Sequence, residues 1–146
     1  LVMDTYSFGY SSAGFSDMPM NHKIFLAQFD AIKKLAGEGP CVMVGRCADY
    51  ALADYKDCFS VFVHADFDWR INRIAAKYNK TPKEARDIIT KTDKSRASYY
   101  NYYTNKKWGS AKSYNLCIDS SKYGIDNTVK AIVESIKIFD STKASR

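Results

Sequence analysis

Three short apolar runs, each ending in polar residues, constrain the fold of this chain more than any other feature of its sequence. They are CVMVG from Cys41, FSVFVHAD from Phe59 and YNLCIDSS from Tyr114. Continuous apolar runs of this length are typical of strands that are covered on both faces of a parallel sheet. Helical repeats separate the runs, and strands that alternate with helices predict an α/β domain around a parallel sheet.

Apolar residues at helical spacing surround these runs. They predict a helix from Lys23, a second helix from Phe67 and a last helix from about Asp126. The clearest helix start is TPKE at 81–84, because Thr caps a helix, Pro is tolerated in its first turn and the Glu completes a capping box. That helix should continue through SYYNYYT until Gly109 breaks the pattern.

Length and charge narrow the class of protein. The 146 residues, of which 46% are hydrophobic, predict a single domain 1–146 with a core of its own, preceded by an irregular lead-in over residues 1–22. No apolar run approaches the ~18 residues of a membrane span. The four cysteines show no Cys-x-x-Cys pairing, so we expect buried thiols in a reducing, cytoplasmic protein and no protein-ligated metal. A net charge of +6 favours anionic partners.

The polar residues that end the three runs are the first functional signal, because ligands bind at the carboxyl ends of the strands in parallel sheets. They are Gly45-Arg46, His64-Ala65-Asp66 and Asp119-Ser120-Ser121. Gly45 permits close backbone approach, Arg46 offers a planar fork to a phosphate, and the carboxylate of Asp49 can accept hydrogen bonds from an amino group. The alternative is that Arg46 forms a structural ion pair with Asp49 or Asp54.

Further cations follow in the second half of the chain. Arg70 and Arg73 begin the helix after the second run, and a basic, aromatic segment at 91–110 contains Asp93 and Arg96. Phosphoryl transfer needs cations that screen the moving group, Mg²⁺ and a lid that excludes water. An arginine-rich helix over a parallel sheet would meet that need.

The same segment leaves a second class of function open. Five aromatic residues lie among lysines: Tyr99, Tyr100, Tyr102, Tyr103 and Trp108. Aromatic rings beside cations are typical of proteins that stack the bases of single-stranded RNA. A non-catalytic nucleotide- or RNA-binding module that uses the helix at 91–108 is therefore the alternative function. A helix that packs its wide apolar face on the core is the interpretation we favour.

Four motifs in order resemble the cytidylate kinase-like family, a branch of the nucleoside monophosphate kinases within the P-loop NTPases. They are GPCVMVGRCADYAL, FSVFVHADFDWRINRI, KTDKSRASYYNYYTNKKWG and YNLCIDSSKYGID, and the resemblance extends from Lys23 to Ile136. It implies a three-layer parallel sheet of the P-loop kinase type. It also implies transfer of the γ-phosphoryl group of ATP, with Mg²⁺, to CMP or dCMP. Small-molecule nucleotides are then the expected partners, nucleic acid and membranes are not, and a homodimer stays open.

The resemblance also implies roles for single residues. Arg46, after Gly45, would hold the acceptor phosphate, and Asp49 would help to read the base. Arg70 and Arg73 match positions that contact the donor nucleotide, and Asp93–Arg96 matches the D-x-x-R segment of the lid, whose arginine reaches the transferring phosphates.

One element of the family pattern is missing from the sequence. Neither G-x-x-x-x-G-K-[ST] nor a Gly-Ser-Gly-Gly loop occurs, and Gly9 and Gly14 are too far apart to supply one. We expect that loop to belong to a segment ahead of Leu1, whose strand would lie between the strands that end at Arg46 and Asp66. A truncated chain whose strands re-pair, or a natural homologue that has lost catalysis, would also lack the loop. We expect no phosphoryl transfer from the 146 residues alone.

Overall fold

The computed structural model describes residues 19–143 of the chain. The chain divides into two compact units, residues 1–51 and 52–146. The first unit contains helix α1 (Met20–Glu38) and the short helix α2 (Ala48–Ala51). The expected lead-in lies mostly outside the described residues, and its last three residues belong to α1.

Helix α1 forms where the sequence predicts a helix. It follows Pro19 and ends at Gly39, and it buries Phe25 and Ile32, which lie seven residues apart on one face. The ring of Phe25 also contacts that of Phe29, with centroids 5.9 Å apart.

The first apolar run is not a strand, and the prediction of a buried strand there is wrong. Val42 and Val44 are 92% and 90% exposed, and the segment that contains them has no regular secondary structure. A buried strand needs partners for its backbone N–H and C=O groups. The sheet formed by the described residues has only two strands, and neither belongs to this segment.

The second unit contains those two strands, β1 (Val61–His64) and β2 (Leu116–Asp119). They pair in parallel, in the register from Val61↔Leu116 to His64↔Asp119. The parallel pairing confirms an α/β fold. Two α-helices and one turn of 3-10 helix separate the strands in the chain: α3 (Phe67–Tyr78), α4 (Pro82–Thr104) and the 3-10 turn Ala111–Ser113.

The start of α4 is the one predicted. Thr81 Oγ1 accepts a hydrogen bond from Glu84 N at 3.3 Å, and Glu84 Oε2 accepts one from Thr81 N at 2.8 Å. The helix ends earlier than Gly109, at Asn105, which caps it with a left-handed φ of 53°. Helices α3 and α4 are held together by a small cluster made of Ile71, Ala85 and Ile89.

Two helices follow β2, the short α5 (Ser120–Tyr123) and α6 (Ile125–Lys143). Helix α6 presents the predicted apolar side, and Phe139 on it contacts Phe59 with ring centroids 5.1 Å apart. Several other apolar residues of α6 stay exposed. Within residues 19–143, no helix is both long enough and apolar enough to cross a membrane.

Candidate functional site

One carboxylate on α4 forms a hydrogen bond to one guanidinium group and lies near a second. Arg70 Nη1 on α3 donates a hydrogen bond of 2.7 Å to Asp93 Oδ2, and Arg96 Nη1 lies 3.9 Å from Asp93 Oδ1. The side chains of Arg70 and Asp93 are only 29% and 26% exposed, so water screens this pair less than a surface ion pair. The structure therefore brings together three of the four residues that the family resemblance assigned to the donor nucleotide and to the lid.

Arg70 also carries a buried donor that nothing in the described part of the chain accepts. Its Nε is buried and has no hydrogen-bond partner. An unsatisfied buried donor costs about 1–3 kcal/mol, and more when the group is charged. Because Nε is closed to solvent, a phosphate group could approach this cluster only through the terminal nitrogens of Arg70 and Arg96.

Arg73, the fourth residue, has different neighbours from Arg70. Its guanidinium carbon lies 5.6 Å from the centre of the Trp69 ring, a cation–π distance. The two side chains border an open cavity of about 580 Å³, together with Asn72, Ala76 and Lys77. Arg70 thus pairs with a residue of α4, whereas Arg73, three residues later, lies beside the indole ring of Trp69.

The residues assigned to the acceptor side form a strained turn in the first unit. Gly45, Arg46 and Cys47 have φ values of 70°, 56° and 57°, and Ala48 N donates a 3.1 Å hydrogen bond to Gly45 O. A left-handed conformation costs a residue with a Cβ roughly 1–2 kcal/mol, and turns with two such central residues normally use Asn and Gly. Backbone strain of this kind is concentrated at binding and catalytic sites.

Arg46 is exposed on this turn and forms no ion pair with any described residue. The structural ion pair with Asp49 or Asp54 is therefore not what the structure contains. Arg46 borders a small groove of about 170 Å³ whose walls are mostly apolar and come from α1 and the segment 43–45. Burial of the Cys47 thiol, and to a smaller extent the negative charge of Asp49 in α2, raise the pKa of that thiol to about 11. That thiol stays protonated at neutral pH.

The polar residues at the ends of β1 and β2 meet, as predicted, but they form hydrogen bonds with one another. Ser120 Oγ donates to His64 O at 3.0 Å, and Asp66 N donates to Ser121 Oγ at 3.1 Å. The hydroxyl of Ser121 donates to Asp119, which lowers the pKa of that carboxyl. We interpret this group as a structural link between the strand ends.

Two residues beside the arginine cluster, Phe67 and Arg86, were not indicated from the sequence. The guanidinium carbons of Arg70 and Arg86 lie 5.5 Å and 5.1 Å from the centre of the Phe67 ring. Arg86 precedes Asp93 by seven residues, two helical turns, so both lie on nearly the same face of α4. That spacing is the signal by which the sequence could have indicated Arg86.

The aromatic residues of the 91–108 segment do not share one environment. Tyr100 is buried, Trp108 packs edge-on against Phe62 with ring centroids 5.4 Å apart, and Tyr102 is exposed. The described residues include no group of three or more His, Cys, Asp or Glu side chains that could hold a metal ion.

The chain belongs to the cytidylate kinase-like family, whose model matches residues 2–122. At this coarse level the family indicates a nucleoside monophosphate kinase-like function. The chain is also similar to a solved structure, that of an uncharacterized protein from Eubacterium ventriosum ATCC 27560. The two are 32% identical with a TM-score of 0.77, over 85% of this chain and 70% of the other. No curated protein matches the chain.

Proposed function

We propose that the protein is a cytidylate kinase that transfers the γ-phosphoryl group of ATP to CMP or dCMP. The observation that carries the proposal is the cluster of Arg70, Asp93 and Arg96 in a chain of this family. Phosphoryl transfer needs little covalent chemistry from a protein, because most of the catalysis is positioning and charge stabilisation. Asp93 positions Arg70 through a hydrogen bond, and Arg70 and Arg96 together supply positive charge.

In the proposed reaction, an oxygen of the acceptor phosphate forms a bond to the γ-phosphorus while the bond to the departing ADP breaks. Arg96 and Arg70 donate hydrogen bonds to the phosphate oxygens on which charge accumulates, and Asp93 keeps the two guanidiniums in place. Arg46 binds the acceptor phosphate after Gly45, Asp49 reads the base, and Arg73 contacts the donor nucleotide.

Mg²⁺ would neutralise the charge of the donor phosphates. It usually keeps several waters and binds through one or two carboxylates together with substrate phosphates. We therefore propose that the ion enters with ATP rather than occupying a site made of protein ligands alone.

The proposal includes a phosphate-binding loop and a strand from outside these residues. The 146 residues contain no P-loop motif. We therefore propose that these residues bind nucleotides but that phosphoryl transfer requires such a loop. Ser60 O accepts a hydrogen bond from Leu116 N. In a parallel ladder only every second residue of a strand bonds to a given neighbour, so the backbone N–H and C=O groups of Val61 and Val63 point away from β2. A further strand could pair there and extend the sheet toward the three-layer P-loop type.

Calorimetric titration of the protein with CMP and with ATP tests the proposal. We expect Arg46→Gln to weaken CMP binding by about 5- to 50-fold and to spare ATP binding, because it removes a charge-assisted hydrogen bond worth about 1–2.5 kcal/mol. Arg96→Gln should give the reverse pattern. The proposal fails if CMP binds no better than AMP, GMP and UMP. Binding of single-stranded RNA that weakens steeply with salt, without nucleotide binding, would favour the alternative function.

A further inference from the structure

The ring of Phe67, at the first position of α3, is in contact with two cations that come from different helices. Arg70 reaches it from the same helix and Arg86 from α4, with guanidinium carbons 5.5 Å and 5.1 Å from the ring centre. These distances are within the ~6 Å range of cation–π attraction. One aromatic side chain therefore contacts two arginines.

The ring itself has little freedom to move. Phe67 packs against the cluster of Ile71, Ala85 and Ile89, which joins α3 to α4. Close-packed side chains of this kind resist displacement. The packing of α3 on α4 thus determines where the Phe67 ring lies, and the ring in turn contacts Arg70 and Arg86.

The carboxylate beside Arg86 holds it only weakly. Arg86 Nη2 lies 3.6 Å from Asp68 Oδ1, longer than a good hydrogen bond, and the two side chains are 56% and 82% exposed. Exposed pairs of this kind contribute little to stability. The ring contact is therefore what mainly defines the position of Arg86, and most N–H donors of its guanidinium remain available to a ligand.

The charges of this cluster do not balance. Three guanidiniums, those of Arg70, Arg86 and Arg96, face two carboxylates, those of Asp68 and Asp93. Two cations on one ring repel each other, and a polyanion that binds to both offsets that repulsion.

We propose that Arg86 is a third phosphate-binding cation of the donor site and that Phe67 is the positioning residue that fixes Arg70 and Arg86. The ligand class is the phosphate chain of a nucleoside triphosphate, whose length lets it contact more than two guanidiniums. The inference rests on the proposed function, since it adds residues to the same donor site.

Titration with inorganic tripolyphosphate tests the role of Arg86, with Arg96→Gln as the reference variant. Lys83→Gln is the matched control, because Lys83 is an exposed cation on the same helix. We expect Arg86→Gln to weaken binding by about 5- to 20-fold and to make it less dependent on salt, since one charge contact is lost. Lys83→Gln should stay within about twofold of the unsubstituted protein. Arg86→Lys should restore only part of the affinity, because it keeps the charge without the planar group.

Phe67 is tested with Phe67→Leu, alone and combined with Arg86→Gln. The single change should weaken binding, and it should weaken binding less when Arg86 is already absent, because the ring then positions only Arg70. Circular dichroism checks that Phe67→Leu folds. If that variant does not fold, Arg86→Gln decides the matter by itself.

The outcomes separate this inference from the proposed function. If Arg96→Gln weakens binding and Arg86→Gln behaves like Lys83→Gln, the inference is wrong and the donor site stands. If the unsubstituted protein does not bind tripolyphosphate, the donor site and the inference fall together. A loss with Arg86→Gln that exceeds the loss with Lys83→Gln supports the inference.

Discussion

At the scale of single residues, the turn at Gly45–Ala48 has a strained backbone at Arg46, the residue proposed to bind the acceptor phosphate. Arg46 and Cys47 both adopt positive φ, a conformation that Gly or Asn would adopt at lower cost. Arg46 gains no ion pair among the described residues in return. A strained residue with no stabilising contact is expected where a ligand supplies the contact.

Arg46→Asn should therefore stabilise the protein while it weakens binding of the acceptor phosphate about as much as Arg46→Gln does. Asn tolerates a left-handed conformation, so we expect the free energy of unfolding to rise by about 0.5 kcal/mol. Urea unfolding measures the change, and titration with CMP measures the loss of binding. The same substitution at Lys83, in the first turn of α4, should change the free energy of unfolding by no more than a few tenths of a kcal/mol, because the loss of helix propensity is offset by removal of a cation from the helix N-terminus. Destabilisation by Arg46→Asn would contradict the assignment of strain to this turn.

At the scale of elements, the capping box of α4 is encoded within four residues. Thr81 and Glu84 exchange hydrogen bonds that satisfy two backbone donors at the start of the helix. The backbone N–H of Thr81, followed by its hydroxyl, lowers the pKa of the Glu84 carboxyl. Helix α4 carries Asp93, Arg96 and Arg86, so this cap helps to order the helix on which much of the candidate donor site lies.

Thr81→Ala should cost about 1 kcal/mol of unfolding free energy, or roughly 3 °C in Tm, because an N-cap is lost. Differential scanning calorimetry measures the shift. Thr90→Ala, in the middle of the same helix, is the control and should be neutral or slightly stabilising, since Ala has the higher helix propensity. A Tm that is equal in both variants would show that the cap does not limit stability.

The cap also predicts a pH dependence. The Glu84 carboxyl has a lower pKa in the folded protein than its ordinary value of 4.5, so the unfolded chain takes up its proton first as pH falls. The stabilisation is complete above about pH 5 and is lost as the pH falls through the folded pKa. Glu84→Gln should remove this part of the acid destabilisation, measured as a smaller drop in Tm between pH 6 and pH 3 than in the unsubstituted protein.

At the scale of the whole molecule, the apolar surface left exposed is as informative as the core. Val42, Val44 and Val63 are apolar residues of the predicted strands, and each is at least half exposed. No large side chain among the described residues is fully buried. The apolar runs that indicated a broad sheet are therefore only partly covered within each of the two units.

The double variant Val42→Thr/Val44→Thr distinguishes the predicted strand from the observed segment. Thr has nearly the shape of Val, so two buried hydroxyls would cost roughly 2–4 kcal/mol in a covered strand. Because both side chains are exposed, we expect a change of less than about 0.5 kcal/mol in urea unfolding. Ile71→Ala, in the α3–α4 cluster, should cost about 2–5 kcal/mol and is the reference for a buried site. A large loss from the double variant would show that this segment is covered in solution.

Much of the fold could be predicted because its signals are local. The apolar runs at β1 and β2 and the cap at Thr81 are each encoded by neighbouring residues, and the structure confirms them. In the candidate site, Arg70, Asp93 and Arg96, three of the residues that the sequence indicated, lie close together. It did not indicate Arg86 or Phe67, because neither belongs to the motifs that drew attention to the others.

The sequence by itself determined the helices, two of the three strands, the net positive charge and the family. Only the tertiary structure decided that Asp93 meets Arg70, that Arg46 lies on a left-handed turn, and that the run at Cys41–Gly45 pairs with no strand among residues 19–143. Helix caps and apolar repeats act between residues a few positions apart, so a short stretch of sequence contains their cause. Strand pairing and the meeting of Arg70 with Asp93 join residues far apart in the chain, and their energies exist only once the intervening elements have packed.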